Sequence, residues 1–461
     1  MKRRITGCLR GINQKINRSE FAKKLMGGVF WSLSGSVLSR GMMMASNILV
    51  ARILGKVSYG GLAIIQSTVV MAGIFAGFGI KDTCRKFIAA LKTSDKEKTG
   101  RVMGLCIMFA VFSGGVIAVI MNIAAPFLAE KLFNSKSLVT PLRISSLLIF
   151  INGIVGAQMG IITGFECFRQ DAVRGVISNI ITVPLVMTGA YFRGINGVFT
   201  GLAVGGAINI LLYYLFIRNI ARKQGIRISY RSALGEMNIL LGFSLPAALV
   251  SMMMAPTTWI CNSILVRGNH GLTEMGILEA ANQGRLMVLF VPGTVSLVFL
   301  PALSRFFASK QLIEFKRVFR VNILITVSSA VVVALPLIVF SKFIMGLYGN
   351  GFAEKGIILV LVSLAAVLKA VNDALIVVYY SINRVWTAFV FNFIWSNICI
   401  WSTYVMVHTA AMGAKGYAAA LILSYIPHIS FMILYLLYFF KKLDRSTQSA
   451  KSDSNIDINR V

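Results

Sequence analysis

Charged residues are scarce in this sequence. Of its 461 residues only 13% are charged, while 57% are hydrophobic. A soluble globular domain carries about 25% charged and about 45–50% apolar residues, so the composition excludes that class. Acidic residues are the scarcer kind, because 16 acidic residues accompany 46 basic ones. The composition is that of a membrane protein, and its excess of positive charge must be explained in that setting.

Catalytic and metal-binding motifs are also absent. The sequence contains no Walker A, GxSxG, HExxH or CxxC pattern, and its three histidines are scattered. Its six cysteines form neither a disulfide framework nor a zinc-binding set. We therefore expect no cofactor, no metal and no enzyme activity.

Long apolar runs are what the sequence does contain. A membrane helix needs about 20 mostly apolar residues. The first run is too long for a cleavable signal peptide, and no small-residue cleavage site follows it. The fold class predicted is an all-α polytopic membrane protein with about 12 transmembrane helices. The predicted spans lie at 25–50, 59–80, 102–124, 142–165, 173–192, 195–217, 237–265, 276–300, 321–341, 356–380, 386–407 and 416–440.

The basic residues are distributed unevenly between alternate loops. With the N-terminus inside, 33 Lys and Arg residues lie in inner segments and 10 lie in outer segments. Membrane proteins concentrate Lys and Arg on the cytoplasmic side, so this distribution predicts that both termini are cytoplasmic. It also accounts for most of the net charge of +30 without a nucleic-acid partner.

A long basic stretch between spans 6 and 7 falls near mid-chain and divides six spans from six. A weak internal repeat supports a duplication, since Ile48–Val50 aligns with Ile264–Val266, and the same offset aligns Gln66 with Asn282. The predicted divisions are a basic cytoplasmic N-terminal segment at 1–24, an N-lobe at 25–217, a cytoplasmic linker at 218–236, a C-lobe at 237–440 and a disordered cytoplasmic tail at 441–461.

Charged side chains within the predicted spans are rare. A charge at the centre of a bilayer costs about 2.5–3.5 kcal/mol on insertion scales, so it needs a partner, water or a function. Arg40 lies near the middle of span 1, and Asn47 lies two helical turns later on the same face. We predict that both line a cavity together with Gln66. The alternative is that Arg40 pairs with a carboxylate elsewhere in the bundle.

Two further spans carry charged groups at helical spacing. In span 8, Asn282 is three residues from both Glu279 and Arg285, so the three side chains can share hydrogen bonds. Asn282 and Arg285 are predicted to line the cavity, while Glu279 is either solvated near the outer surface or a candidate for ion coupling. In span 10, Lys369 and Asp373 are four residues apart and can pair. The pair is either a neutral structural couple, or Lys369 binds substrate and Asp373 couples ions.

Three segments resemble one family of membrane proteins. They are LVARILGKVSYGGLAI at 49–64, GFECFRQDAVRGVISNI at 164–180 and MGILEAANQGRLMVLFVPGTVSLVFLPALSRF at 275–306. The family is the polysaccharide transporters, or O-antigen flippases, of the multidrug/oligosaccharidyl-lipid/polysaccharide exporter superfamily. The resemblance runs along nearly the whole chain. The sequence departs from the family near Leu278, where the family often has tyrosine.

This resemblance implies two six-helix lobes around a central cavity that opens alternately to the two sides of the cell membrane. It also implies the substrate, a polyprenyl-pyrophosphate-linked oligosaccharide moved to the outer leaflet for surface polysaccharide synthesis. Arg40, Arg285 and Lys369 suit a pyrophosphate, which arginine binds through two parallel hydrogen bonds. Contact with membrane lipids is expected, and contact with other polysaccharide biosynthesis proteins is left open.

Two other functions compete with this interpretation. A multidrug or cation antiporter on the same scaffold tends to use carboxylates in the first lobe. Here the predicted spans of that lobe contain no buried Asp or Glu, and Arg40 would repel a cation. A membrane-embedded polysaccharide polymerase or ligase usually carries its catalytic residues on a large outer loop, whereas the predicted outer loops are all short.

Overall fold

The described part of the chain is helical. A computed structural model describes the backbone of residues 2–77, 79–230, 232–237 and 253–458, and the side chains within 38–441 of those ranges except at 234, 297–298 and 350. These residues form α-helices joined by short turns and contain no β-strand. The chain divides into two compact units, Met1–Ala255 and Pro256–Val461.

The first unit contains two helices, α1 (Lys2–Gly77) and α5 (Phe168–Gln224), that are too long for a single crossing. At about 1.5 Å per residue, a helix the length of α5 would be about 85 Å long, against about 30 Å of bilayer hydrocarbon. Gly55 (φ 71°) interrupts α1, and Gly194 (φ 55°) interrupts α5. Positive φ is costly for other residues, so glycine suits these breaks, which confirm the predicted boundaries between spans 1 and 2 and between spans 5 and 6. The helices are α1 (Lys2–Gly77), α2 (Ile80–Leu91), α3 (Lys96–Phe127), α4 (Val139–Gly164) and α5 (Phe168–Gln224).

The two halves of α5 pack against each other through small residues. Gly197, Gly201 and Gly205 recur every four residues on one face of the second half. A Cβ at Gly201 would lie 2.6 Å from the carbonyl oxygen of Leu185, and one at Gly205 would lie 2.5 Å from the hydroxyl of Thr182. Small residues at this spacing let membrane helices approach to backbone contact, where van der Waals packing holds them together.

The predicted linker at 218–236 is part of the first unit. Helix α5 continues to Gln224, and the segment after it packs along α3, where the Ser229 amide donates to the carbonyl of Gly100 at 3.2 Å. Glu236 then accepts from Nε of Arg101 at 3.1 Å. The segment is therefore docked, because glycines on α3 admit its backbone and a salt bridge anchors its end.

The inner loop between spans 2 and 3 contains a helix that the span pattern did not predict. In α2, Ile80, Cys84 and Ile88 are buried at four-residue spacing and form one apolar face. That face packs on α4, where a Cβ at Gly160 would lie 2.7 Å from that of Cys84. Because its other face is polar, α2 resembles a helix lying at the membrane surface rather than one crossing it.

The second unit holds the remaining helices. Helix α6 (Met254–Arg267) is the end of predicted span 7, most of which falls on residues 238–252 and lies outside the described residues. The tail from residue 441, predicted to be disordered, is helical as far as Ile458; it contains no glycine or proline to end the helix. The helices are α6 (Met254–Arg267), α7 (Gly271–Ala308), α8 (Leu312–Val339), α9 (Ser341–Gly346), α10 (Asn350–Ala353), α11 (Gly356–Ser381), α12 (Val385–Tyr404) and α13 (Gly413–Ile458).

Nine helices within the described ranges are long and apolar enough to cross a membrane. Two of the nine, in α1 and α5, contain the glycine breaks described above. The protein is an all-α polytopic membrane protein, as the sequence predicts. The figure of about twelve spans stays a prediction, because span 7 is only partly described.

Candidate functional site

One face of α7 carries a ladder of hydrogen bonds between charged and amide side chains. The Asn282 amide donates to the Glu279 carboxylate at 3.3 Å, and Nε of Arg285 donates to Oδ1 of Asn282 at 2.6 Å. Gln283 also donates to Glu279. The sharing of hydrogen bonds predicted from three-residue spacing is confirmed. Glu279 also lies within electrostatic range of the buried Tyr348, so it is not simply exposed to solvent.

Three long helices of the second unit begin at the same end of that unit. His270, Lys355 and Gly413, which stand at the starts of α7, α11 and α13, line one cavity there. Counting about 1.5 Å per residue from these starts places Arg285 and Lys369 each about 20 Å along its helix. The two cations therefore lie at similar depth. That depth is close to the middle of a bilayer that consists of about 30 Å of hydrocarbon and a headgroup layer on each side.

Lys369 and Asp373 form an ion pair on α11. Nζ of Lys369 lies 2.8 Å from Oδ1 and 3.1 Å from Oδ2 of Asp373. The side chains are 14% and 27% exposed. The predicted pairing is confirmed, and it neutralises one of the three cations that the sequence assigned to the cavity. Whether the pair also acts in transport stays a prediction.

Sequence reasoning missed a set of polar and aromatic side chains on the neighbouring helices. Nδ1 of His428 lies 3.0 Å from the carbonyl oxygen of Phe391, and its Nε2 lies 2.8 Å from the side-chain amide of Asn372. The ring of Trp395 stacks on that of Tyr425, with 5.3 Å between centroids. Counting residues from the helix ends predicts that these groups lie at the depth of Arg285. Their contacts, however, join different helices, and residue spacing along one helix does not predict such contacts.

Electrostatic interactions, which act over longer distances than contacts, relate these groups to one another. Arg285 and Asp373 both lie within electrostatic range of the Tyr425 hydroxyl, and Lys369 lies within range of the His428 ring. The ring centroids of Trp395 and His428 are 6.3 Å apart. We call this set the mid-helix cluster; its members are Arg285, Lys369, Asn372, Asp373, Trp395, Tyr425 and His428.

The candidates in the first unit are less enclosed. Arg40 is exposed, while Asn47 and Gln66 are half-buried. Arg40 and Asn47 lie before the break at Gly55, and Gln66 lies after it. Both Arg40 and Asn47 have interaction partners. The proposal that these three residues line a cavity therefore rests on their sequence pattern.

A buried charge network lies near the start of α5 in the first unit. Asp171 accepts from Nη2 of Arg174 at 3.0 Å and from the Tyr213 hydroxyl at 3.1 Å, while Nη1 of Arg174 donates to Asn209. The side chains of Arg174 and Asp171 are only 10% and 20% exposed. The first unit thus contains a largely buried carboxylate two residues before the predicted start of span 5, whereas the prediction concerned the spans themselves. The sequence placed it in a loop because the predicted span began at residue 173, whereas α5 begins at 168.

These features define the class of the protein. Long helices in two units, with a charged and aromatic cluster halfway along the helices of one unit, characterise a polytopic membrane protein with a functional interior, since intramembrane charges are retained where they serve a purpose. Within the described residues, no group of three or more His, Cys, Asp or Glu residues is placed to hold a metal.

The chain belongs to the family described as polysaccharide biosynthesis protein, which matches residues 25–307. The three segments that resemble this family in the sequence all fall within that range. The chain is 22% identical over 276 residues to the EPS I polysaccharide export inner membrane protein EpsE of Ralstonia solanacearum. The aligned region covers 59% of this chain and 62% of that protein. The chain is 20% identical over 278 residues to the lipid III flippase of Escherichia coli K12, covering 60% and 66%. These matches span less than two thirds of the relatives' length.

Similarity to solved structures extends over nearly the whole chain. A multidrug resistance MATE family transporter of the MOP superfamily, in an inward-facing conformation, matches with a TM-score of 0.70 and 15% identity over 90% of this chain and 99% of that one. A MOP superfamily transporter from Pyrococcus furiosus matches with a TM-score of 0.67 and 14% identity over 90% and 96%. At such identities the likeness shows a shared fold. The family match ends at residue 307, whereas the match in fold covers 90% of the chain.

Proposed function

We propose that the protein is a flippase for a polyprenyl-pyrophosphate-linked oligosaccharide. It moves this lipid from the cytoplasmic to the outer leaflet of the inner or plasma membrane by alternating access, and so serves the synthesis of a surface polysaccharide. Membership of the polysaccharide biosynthesis family supports this role, as do the names of two relatives, an export protein and a flippase. These are transport proteins rather than enzymes, in agreement with the expectation that the chain is not an enzyme.

The observation that carries the proposal is the setting of Arg285. Its Nε donates to Asn282, which orients the guanidinium, and among the described residues its two terminal nitrogens donate no hydrogen bond. Nor does Arg285 form an ion pair within that part of the chain, although Glu279 lies within electrostatic range. An oriented guanidinium with its outer edge available suits a phosphate, because arginine binds phosphate through two parallel hydrogen bonds.

The rest of the mid-helix cluster places polar and aromatic groups at the depth of Arg285. Trp395 and Tyr425 are buried and stack on each other, and the buried Asn372 contacts His428 through its side-chain oxygen. These groups support the wall of a site at this depth. Ligand sites commonly combine apolar and aromatic walls with a few convergent polar groups. Arg40 adds a second cation in the first unit, where the sequence pattern predicts cavity lining.

Complementation of a bacterial strain that lacks a lipid-linked-oligosaccharide flippase tests the proposal. The wild-type chain should restore surface glycan, Arg285→Ala should abolish export at equal membrane protein level, and Arg285→Lys should retain part of it. Lysine keeps the charge but loses the bidentate geometry. Arg317→Ala, on the exposed start of α8, is the matched control and should export normally. Normal export by Arg285→Ala would remove Arg285 from the substrate site.

A multidrug or cation antiporter fits the described residues less well. Asp171 is a largely buried carboxylate in the first unit that such a mechanism could use, but it already binds Arg174 and Tyr213. A paired carboxylate has little charge left to attract a cationic drug. Drug susceptibility of cells that express the chain separates the two functions, because only an antiporter would raise the tolerated drug concentration.

A further inference from the structure

The cavity at the start of α7, α11 and α13 is distinct from the mid-helix cluster. It lies about 20 Å away along the helices, at about 1.5 Å per residue, and has a volume of about 390 Å³. Basic and imidazole side chains dominate its polar lining. They are Arg267, Lys355, Lys415, His270 and His408.

The charge of this cavity is not neutralised from within. Among the described residues, none of Arg267, Lys355 and Lys415 forms an ion pair. The carboxylate in the lining belongs to Glu274, whose Oε2 accepts from the backbone amide of Ala414 at 2.8 Å. Glu274 therefore caps the first turn of α13, and the permanent cations outnumber the lining carboxylate.

Helix starts supply backbone N–H donors at this cavity, and helix ends meet there as well, since α6 ends at the lining residue Arg267 and the helical turn that follows α12 ends at Thr409. The lining residues His270, Lys355 and Gly413 stand at the N-terminal ends of α7, α11 and α13. Backbone N–H groups at the start of a helix lack partners within it and carry partial positive charge, which favours an anion. These local N–H donors, rather than a net helix dipole, add to a cavity whose positive potential comes from its excess of side-chain cations.

The cavity also has an apolar side. Ile357 and Ile358 lie in its wall, and Ile357 is 50% exposed. A ligand bound here can place a charged group among the cations and an apolar chain against this wall. Every loop that contributes to the lining is predicted to be on the outer side, so the ligand would be reached from the outer leaflet.

We propose that this cavity binds the pyrophosphate group of a polyprenyl-pyrophosphate lipid at the outer face of the membrane. It is a holding site for the lipid after its transfer. The proposal deepens the proposed flippase function and rests on it for the identity of the lipid. The chemistry recognised is a pyrophosphate anion, and Arg267 is the residue suited to bind it through two hydrogen bonds.

Binding to the purified full-length protein in nanodiscs of neutral phosphatidylcholine tests the site. The probes are inorganic pyrophosphate in solution and polyprenyl pyrophosphate incorporated in the nanodisc. A triple variant, Arg267→Gln, Lys355→Gln and Lys415→Gln, should bind at least about tenfold more weakly, and the wild-type affinity should fall as salt is raised. Removing cations from outer loops strengthens the positive-inside asymmetry, so the variant should keep its topology.

A second triple variant controls for general surface charge. Lys131→Gln, Lys136→Gln and Arg143→Gln removes the same charge from exposed positions of the first unit, on the same predicted side. This control should bind both probes within about twofold of the wild type, since screened surface charges contribute little at a distance.

The outcomes separate the sources of the anion. Loss of binding for both probes in the first triple variant supports the proposal and shows that pyrophosphate alone is recognised. Loss for the lipid probe alone also supports it and shows that the apolar chain is needed. Unchanged affinity for both probes, or an equal loss in the control variant, overturns it. Failure of the flippase function is seen separately, as a wild-type chain that does not restore glycan export.

Discussion

Removing the charges of Lys369 and Asp373 one at a time and together distinguishes a structural ion pair from a transport device. The two groups are 2.8 Å apart and are 14% and 27% exposed. Exposed ion pairs contribute about 0.2–1 kcal/mol, while stranding one partner of a buried pair costs about 3–5 kcal/mol. Because this pair is mostly but not fully buried, Lys369→Ala and Asp373→Ala should each lower stability by about 2 kcal/mol.

The double variant carries the decisive information. It leaves no stranded charge, so its stability should lie closer to that of the wild type than either single variant does. A pair that only neutralises itself predicts that export recovers with stability. We expect stability to recover while export stays below about a tenth of the wild-type level, because an intramembrane cation at the depth of Arg285 serves an anionic substrate.

The assay measures two quantities for each variant. Thermal unfolding in detergent reports stability, and surface glycan in the complemented flippase-deficient strain, normalised to membrane protein level, reports export. The pair Asp82–Arg85 on α2, which has an N–O distance of 3.0 Å and exposures of 49% and 59%, is the matched control. Its double alanine variant should change neither quantity appreciably. Near-normal export by the Lys369→Ala, Asp373→Ala double variant would refute a transport role for both residues.

Three further predictions concern packing, the buried network and topology. Gly201→Val should destabilise the protein by about 2 kcal/mol or more in detergent unfolding, because it overpacks the contact between the two halves of α5. Gly156→Val should not, because a Cβ at Gly156 meets no atom within 4 Å. Arg174→Met should cost about 3 kcal/mol, and neutralising its carboxylate partner should recover part of this loss; no recovery would contradict the network. Reporters fused after Lys310 and after Gly271 should report cytoplasm and exterior respectively, and the reverse would overturn the topology.

Contacts within one helix were accessible from the sequence. The ladder from Glu279 to Arg285 and the pair of Lys369 with Asp373 follow from three- and four-residue spacing, because an α-helix brings such positions together whatever surrounds it. The same local rule did not reach Asp171. Its burial depends on where α5 begins, and hydropathy locates a helix end only to within a few residues.

The sequence by itself determined the class of the protein. Apolar runs long enough for a bilayer leave helices as the way to satisfy the backbone, and the spacing of polar residues within each run determined which side chains share a face. Only the tertiary structure decided which helices are neighbours. The contact of His428 with Asn372, the stacking of Trp395 on Tyr425 and the convergence of three helix starts on one cavity all join distant parts of the chain. In lipid, helices that are apolar on most faces have little hydrophobic preference for one another, so these pairings depend on close packing and polar contacts that no single span encodes.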